Sequence, residues 1–287
     1  MLPSTLGQHS YAPDDQAAAF ADQLWVRARG EAEDAFGRAP MLAPLFLDSI
    51  LSQASLESAV FHRVAARLKN DVISLWLIVQ AFHRAQSAEP AIGAALKADI
   101  NAVLEHDPAC ARVVEPFLYF KGFHAIQAHR LTHWLWQHGE RDFAFYLQSR
   151  SSEVFQTDIH PAARLGRGIF LDHATGLVVG ATAVIEDGVS LLQNITLGST
   201  GNGPGERHPK LRRGAMIGAG AKIIGNIEVG EHARVAASSV VLESVPPWST
   251  VAGVPARVVR TGSPHEPARS VSDILSDLSN DSFVWTI

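Results

Sequence analysis

The segment DIHPAARLGRGIFLDHATGLVVGATAVIEDGVSLLQNITLG (Asp158–Gly198) carries an aliphatic residue at every sixth position: Ile159, Leu165, Leu171 and Leu177, then, after a shift of two, Val179, Ile185, Leu191 and Leu197. Beyond it, Leu211, Ile217, Ile223, Val229, Val235 and Val241 keep the same beat. The buried face of a helix recurs near 3.6 residues and that of a half-buried strand near 2. A strict six, with Gly166, Gly198, Gly218 and Gly230 beside the aliphatic positions, is therefore the pattern of a β-solenoid. Three hexapeptides close one triangular coil, so residues about eighteen apart stack on the same edge. The beat also breaks between Leu197 and Leu211, and the intervening GSTGNGPGERHPK (Gly198–Lys210) is dense in glycine and proline. It should leave the coil as an external loop, the kind of segment in which a rigid scaffold carries its function.

Upstream the composition changes. Of 22 glycines only six lie in residues 1–150, while fifteen fall between Gly166 and Gly253, so two architectures are joined. In the first, Leu56, Val60, Val64 and Leu68, and again Leu75, Ile78, Val79 and Phe82, recur at helical spacing. Ser55 and Asp71 read as N-caps, and Pro90 as the first turn of a helix running to about Leu104. A last long helix is expected over Phe117–His138. Its His129 and His133, four apart, share one face and have the geometry of a metal pair. No HExxH pattern accompanies them, and packing or hydrogen bonding at a helix interface is the simpler role.

The whole chain of 287 residues is 47% hydrophobic and 18% charged, with a formal net charge of -5. Such a mix excludes a disordered chain, and the charge predicts no footprint for nucleic acid or an anionic membrane. Its one cysteine, Cys110, leaves no intramolecular disulfide and no CxxC motif, and reads as a small core or loop residue. The first twenty residues lack a basic and an apolar signal region, and the longest apolar stretch, Val72 to Phe82, is too short to span a bilayer. A cytoplasmic protein is expected.

Five segments carry a family resemblance: FLYFKGFHAIQAHRLTHWLW (Phe117–Trp136), DIHPAARLGRGIFLDHATG (Asp158–Gly176), GERHPK (Gly205–Lys210), MIGAGAKIIGNIEVG (Met216–Gly230) and AGVPARVV (Ala252–Val259). In these the chain resembles the serine acetyltransferases of the hexapeptide-repeat acyltransferase family, from about Met41 through Arg260. The resemblance implies an α+β molecule. An all-α N-terminal domain (1–157) would precede a left-handed parallel β-helix with an extruded loop (158–260) and a flexible C-terminal tail (261–287).

It also implies a reaction, transfer of acetyl from acetyl-CoA to the hydroxyl of L-serine to give O-acetyl-L-serine for cysteine biosynthesis. A serine hydroxyl is a weak nucleophile at neutral pH, so a base must take its proton. By resemblance His173 is that base and Asp158 orients it. Their separation of fifteen residues, close to one coil, would place them near the same edge. Asp107 and Asp172 would meet the serine ammonium, Arg207 would grip its carboxylate, and His208 would complete the pocket. Coenzyme A would run along the solenoid near Gly198, Ser199, Thr200, Ala219, Lys222 and Ala237, with no metal involved.

The resemblance further implies a trimer with the pocket between subunits, pairing into hexamers, and feedback inhibition by L-cysteine. A tail ending in Ile287 fits insertion into O-acetylserine sulfhydrylase. Two positions depart from the family pattern, Ser199 where glycine is common and Ala181 where glutamate is. Other readings of the same scaffold are acetyl transfer to homoserine or a sugar, a zinc carbonic anhydrase built on converging histidines, and a non-catalytic scaffold acting through its tail.

Overall fold

A computed structural model of the chain describes residues 13–201 and 205–262. Its first half is helical: α1 (Pro13–Arg38), α2 (Ala43–Phe46), α3 (Leu56–Leu68), α4 (Leu75–Ala88), α5 (Ala91–His106), α6 (Val114–Tyr119), α7 (Lys121–Gln137) and α8 (Arg141–Phe155). Ser55 caps α3 by accepting from Ser58 N, as its sequence position suggests. At α4 the cap is Ser74, which accepts from Leu77 N, and not Asp71. The cause is local: Asn70 Oδ1 accepts from Val72 N and Ile73 N, folding those residues into a turn ahead of the helix. Pro90 is the N-cap of α5, which runs two residues past the expected end. The single helix expected over Phe117–His138 is broken at Phe120, whose backbone is extended (φ -85, ψ 109), into α6 and α7.

From Thr157 the chain winds into a solenoid of about five coils made from three sheets. The first stacks β1 (Thr157–Ile159), β4 (Leu177–Val179), β7 (Thr196–Gly198), β10 (Lys222–Ile224) and β13 (Val240–Val241). The second holds β2 (Arg164–Leu165), β5 (Val184–Ile185), β8 (Lys210–Leu211) and β11 (Glu228–Val229). In the third stand β3 (Phe170–Leu171), β6 (Ser190–Leu191), β9 (Met216–Ile217), β12 (Arg234–Val235) and β14 (Ser249–Gly253). All these pairings are parallel, and the antiparallel β15 (Ala256–Thr261) closes the last coil. Thirteen of the fourteen aliphatic positions are buried and Leu165 is half-buried, so the six-residue beat is the interior of the prism.

Strand register gives the length of each coil. Val178 pairs with Thr196 and Lys222 with Val240, both eighteen residues apart. Thr157, however, pairs with Leu177, twenty residues on, and Thr196 with Lys222, twenty-six on. Two residues are thus inserted in the turn between β3 and β4, and eight in the loop between β7 and β8. The last coil is two residues short, with Arg234 paired to Thr250 sixteen residues on.

The helical half and the solenoid share one hydrophobic core. Gly122 of α7 lies so close to the first coil that a Cβ there would sit 2.0 Å from the Leu171 carbonyl oxygen. His129 Nε2 and His133 Nδ1 are hydrogen-bonded to the carbonyls of Ala163 (3.1 Å) and Pro161 (2.7 Å), so this pair stitches α7 to the first coil. Buried Asp99 of α5 accepts from Arg130 and Gln127 of α7 and from Ile169 N of the solenoid. These bonds place the C-terminus of α5 beside β3.

Candidate active site

The two insertions carry most of the residues singled out in the sequence. The first is the turn Asp172–Gly176. His173 (φ 55) and Ala174 (φ 60) both occupy the left-handed region, which strains residues other than glycine. Backbone bonds hold the turn: Ala174 N donates to Asp172 O (2.6 Å), Thr175 N to His173 O (2.7 Å) and Asn194 N to Thr175 O (2.7 Å). Lys121 Nζ, at the start of α7, donates to Gln156 Oε1 (2.9 Å) and to Thr175 Oγ1. What results is an imidazole held out from the surface, 71% exposed, with Nε2 3.3 Å from Asp172 Oδ2.

Asp107 reaches this turn from the C-cap of α5, steadied by Ala109 N donating to its Oδ1 (2.9 Å) and by the His106 ring 5.8 Å from Phe170. Burial raises the pKa of Asp172, the Asp107 charge raises it further, and His173 opposes both. Two carboxylates that repel one another beside an imidazole make a cradle for a cation. Neighbouring Cys110 is buried, and desolvation with the Glu115 charge pushes its thiol up to about 12, which removes it as a nucleophile.

The second group stands on a different edge, where the first sheet turns into the second. Arg207 and His208 end the extruded loop just ahead of β8. Both backbone N–H groups donate to Thr182 Oγ1 (3.1 Å each), and Lys210 Nζ donates to the carbonyls of Thr182 (2.6 Å) and His208 (2.9 Å). The His208 ring lies over Gly180, where a Cβ would come 2.0 Å from Nε2. Burial lowers the His208 pKa, and the charges of Arg207 and Lys210 lower it further. His160 follows β1 on the same edge, its pKa lowered by burial and by Arg207 but raised by Asp158.

Asp158 stands on neither edge: within β1 it pairs in register with Val178, on the outer face of the first sheet between them. Its Oδ1 accepts from Gln148 Nε2 of α8 (2.5 Å), and no hydrogen bond joins it to His173 within the chain. The coenzyme candidates divide in the same way. Gly198, Ser199 and Thr200 lie at the loop end of β7, whereas Ala219 and Ala237 form turns on the His173 edge, where Lys222 Nζ donates to Asn194 O (2.6 Å). Small side chains there leave the edge bare next to an ammonium, a surface that fits an extended chain bearing phosphates.

Thr182, Lys121, Gln156 and Gln148 escape the sequence reading. Thr182 occupies an ordinary turn position of a hexapeptide, and the others belong to the helical half, which has no repeat to depart from. Among the described residues no group of three His, Cys, Asp or Glu side chains could hold a metal ion, and no helix is long and apolar enough to cross a membrane.

Comparison with known proteins identifies the family. The family model for the N-terminal region of serine acetyltransferase matches residues 24–128. The chain is 47% identical to the serine acetyltransferase of Escherichia coli K12 over 257 residues, 90% of this chain and 94% of that one. With serine acetyltransferase 2 of Arabidopsis thaliana it shares 41% identity, over 93% and 85% of the two chains. The solved structure of serine acetyltransferase from Brucella abortus in complex with coenzyme A is 56% identical, with a TM-score of 0.84 over 88% of this chain and 99% of that one. A serine acetyltransferase solved in complex with cysteine has 47% identity and a TM-score of 0.83, over 86% and 96%.

Proposed function

The chain belongs to the serine acetyltransferase family, and from that membership we propose that it acetylates the hydroxyl of L-serine with His173 as general base. Acetyl-CoA supplies the thioester carbonyl that the hydroxyl attacks. His173 takes the hydroxyl proton as the C–O bond forms, and returns it to the departing CoA sulfur. Asp107 and Asp172 bind the ammonium of serine, while Arg207 and His208 bind its carboxylate. Among the described residues no cysteine or activated serine stands ready to hold the acetyl group, which favours direct transfer within a ternary complex.

One observation carries this reading: the two groups have opposite character. A pair of carboxylates flanks His173, and a guanidinium with a second imidazole marks the other edge. An amino-acid zwitterion needs both signs of charge, whereas a sugar needs neither. Release of CoA should therefore be fast with serine, slower with homoserine and absent with a sugar; equal turnover of the three would overturn the assignment.

The two groups lie on different edges of one prism, so we infer that a complete site forms between copies of the chain, in a trimer. The outer face of the first sheet, which separates the edges, supports this. It exposes Val178 and Leu242, with Ile224 and Val240 half-buried. The second sheet is instead covered by ion pairs such as Arg212 with Glu186 and Glu228, and a charged surface of that kind resists burial. Within such an assembly Asp158 orients the imidazole of a neighbouring copy. Trimers pair through the helical half into hexamers.

L-Cysteine has the ammonium and carboxylate of serine with a thiol in place of the hydroxyl, and we propose that it inhibits by occupying the same charges. Ile287 and the tail lie outside the described residues. The proposed docking of this tail to O-acetylserine sulfhydrylase is tested by removing the last ten residues, which should abolish binding and spare acetyl transfer.

A further inference from the structure

We propose that Thr182 fixes the tautomer of His208 and so makes that imidazole a hydrogen-bond donor to the acceptor amino acid, never a second base. Thr182 Oγ1 accepts from Arg207 N and His208 N at 3.1 Å each, which fills both of its lone pairs. Its one proton is then left for His208 Nδ1, 2.8 Å away, and the Thr182 backbone N–H points at the same nitrogen from 3.3 Å. A ring nitrogen that receives two donors carries no proton. The ring proton therefore sits on Nε2.

The charges around the ring keep it neutral. Arg207, Lys210 and His160 all oppose a second proton and Glu206 alone favours one, while burial also disfavours the imidazolium. Gly180 leaves the Nε2 edge of the ring its space. A neutral Nε2–H pairs with a carboxylate oxygen and cannot take a proton from the hydroxyl, so His173 remains the one base of the site. Thr182 is thus a positioning residue that touches neither substrate. This inference rests on the reading of His208 as a serine-binding group.

Nitrogen-15 NMR of the full-length enzyme with labelled histidine tests the tautomer directly. The His208 signal should report a bare Nδ1 and a protonated Nε2, and Thr182→Val should convert it to a mixture of tautomers. In steady-state assays Thr182→Val should raise the KM for serine about tenfold with kcat changed about twofold or less, the cost of one misplaced hydrogen bond. Thr182→Ser, which keeps the oxygen, should restore both readouts. In a His208→Ala background Thr182→Val should raise KM no further.

A protonated Nδ1 in the wild-type enzyme would overturn the proposal. So would full additivity of the two substitutions, or a fall in kcat at constant KM. Should wild-type enzyme fail to acetylate serine at all, the functional reading falls, and the NMR result still decides the tautomer.

Discussion

His173 and His208 stand on different edges of one triangular prism: His173 in the turn from β3 into β4, His208 at the foot of the loop from β7 into β8. If they act in one site, that site joins two copies of the chain. Mixing His173→Ala chains with His208→Ala chains, each nearly inactive alone, should then regenerate activity. Some junctions pair the intact His173 of one chain with the intact His208 of the next, about a quarter of them at equal mixing. Subunit exchange followed by a CoA-release assay reads this out. No gain over the separate variants would mean that each site lies within one chain.

His173→Ala should lower kcat by about 10²–10⁴-fold, the usual contribution of a general base. The side chain is exposed, so its removal should leave the melting temperature unchanged. Near wild-type turnover would remove His173 from the mechanism.

Gly180→Ala should act through His208. The new methyl would lie 2.0 Å from the ring, which cannot stay where it is. A rise in the KM for serine of about tenfold or more is expected, because a displaced donor leaves the carboxylate unpaired. Steady-state kinetics with serine and acetyl-CoA varied separately would reveal it, and an unchanged serine KM would mean that the ring position does not matter.

The pH dependence of serine binding should follow Asp172. Its pKa is raised by burial and by Asp107, so the carboxylate loses its charge at a higher pH than an ordinary aspartate would. Serine KM should rise as pH falls through that elevated range, and Asp107→Asn should move the rise to lower pH. Stability runs the opposite way. A carboxyl with a raised folded pKa is most favourable when protonated, and this contribution is lost as pH climbs through the folded value. Asp172→Asn should therefore raise the melting temperature at neutral pH by about 1–3 °C while weakening serine binding.

Acid should unfold the molecule through buried histidines. Burial lowers His124 and His129 to about 3, so both remain neutral in the fold. Unfolded imidazoles take a proton near 6.5, so each depressed group favours the fold above that pH and withdraws its support as pH falls towards 3. Denaturant melts across this window should show proton uptake on unfolding, smaller by about one proton in His129→Gln. A flat profile would show that the rings are not buried neutral.

The sequence carried much of this by its period. Aliphatic residues every sixth position filled the prism, and both departures from the beat fell where the site residues stand. The long helix expected through Phe120 and the cap expected at Asp71 missed because local bonds, an extended Phe120 and an Asn70 side chain claiming two backbone N–H groups, outweighed the apolar pattern. His129 and His133 shared a helical face as expected, yet tertiary contact with the carbonyls of Ala163 and Pro161 gave them their use.

Periodicity is a property of neighbours along the chain, and so sequence alone determined the solenoid, its interruptions and the residue types within them. It could not say which side chains meet at those interruptions, because that depends on which segments of the helical half and of the neighbouring coils pack against each turn. The register of the strands agrees with the spacing that gives the first coil twenty residues and the third twenty-six. Tertiary structure therefore decided that His173 and Asp172 share an edge with Asp107, that Arg207 and His208 stand on another with Asp158 on the sheet face between them, and that an unremarked Thr182 sets the proton on His208. These are distances between remote residues, and they exist only once the coils are stacked.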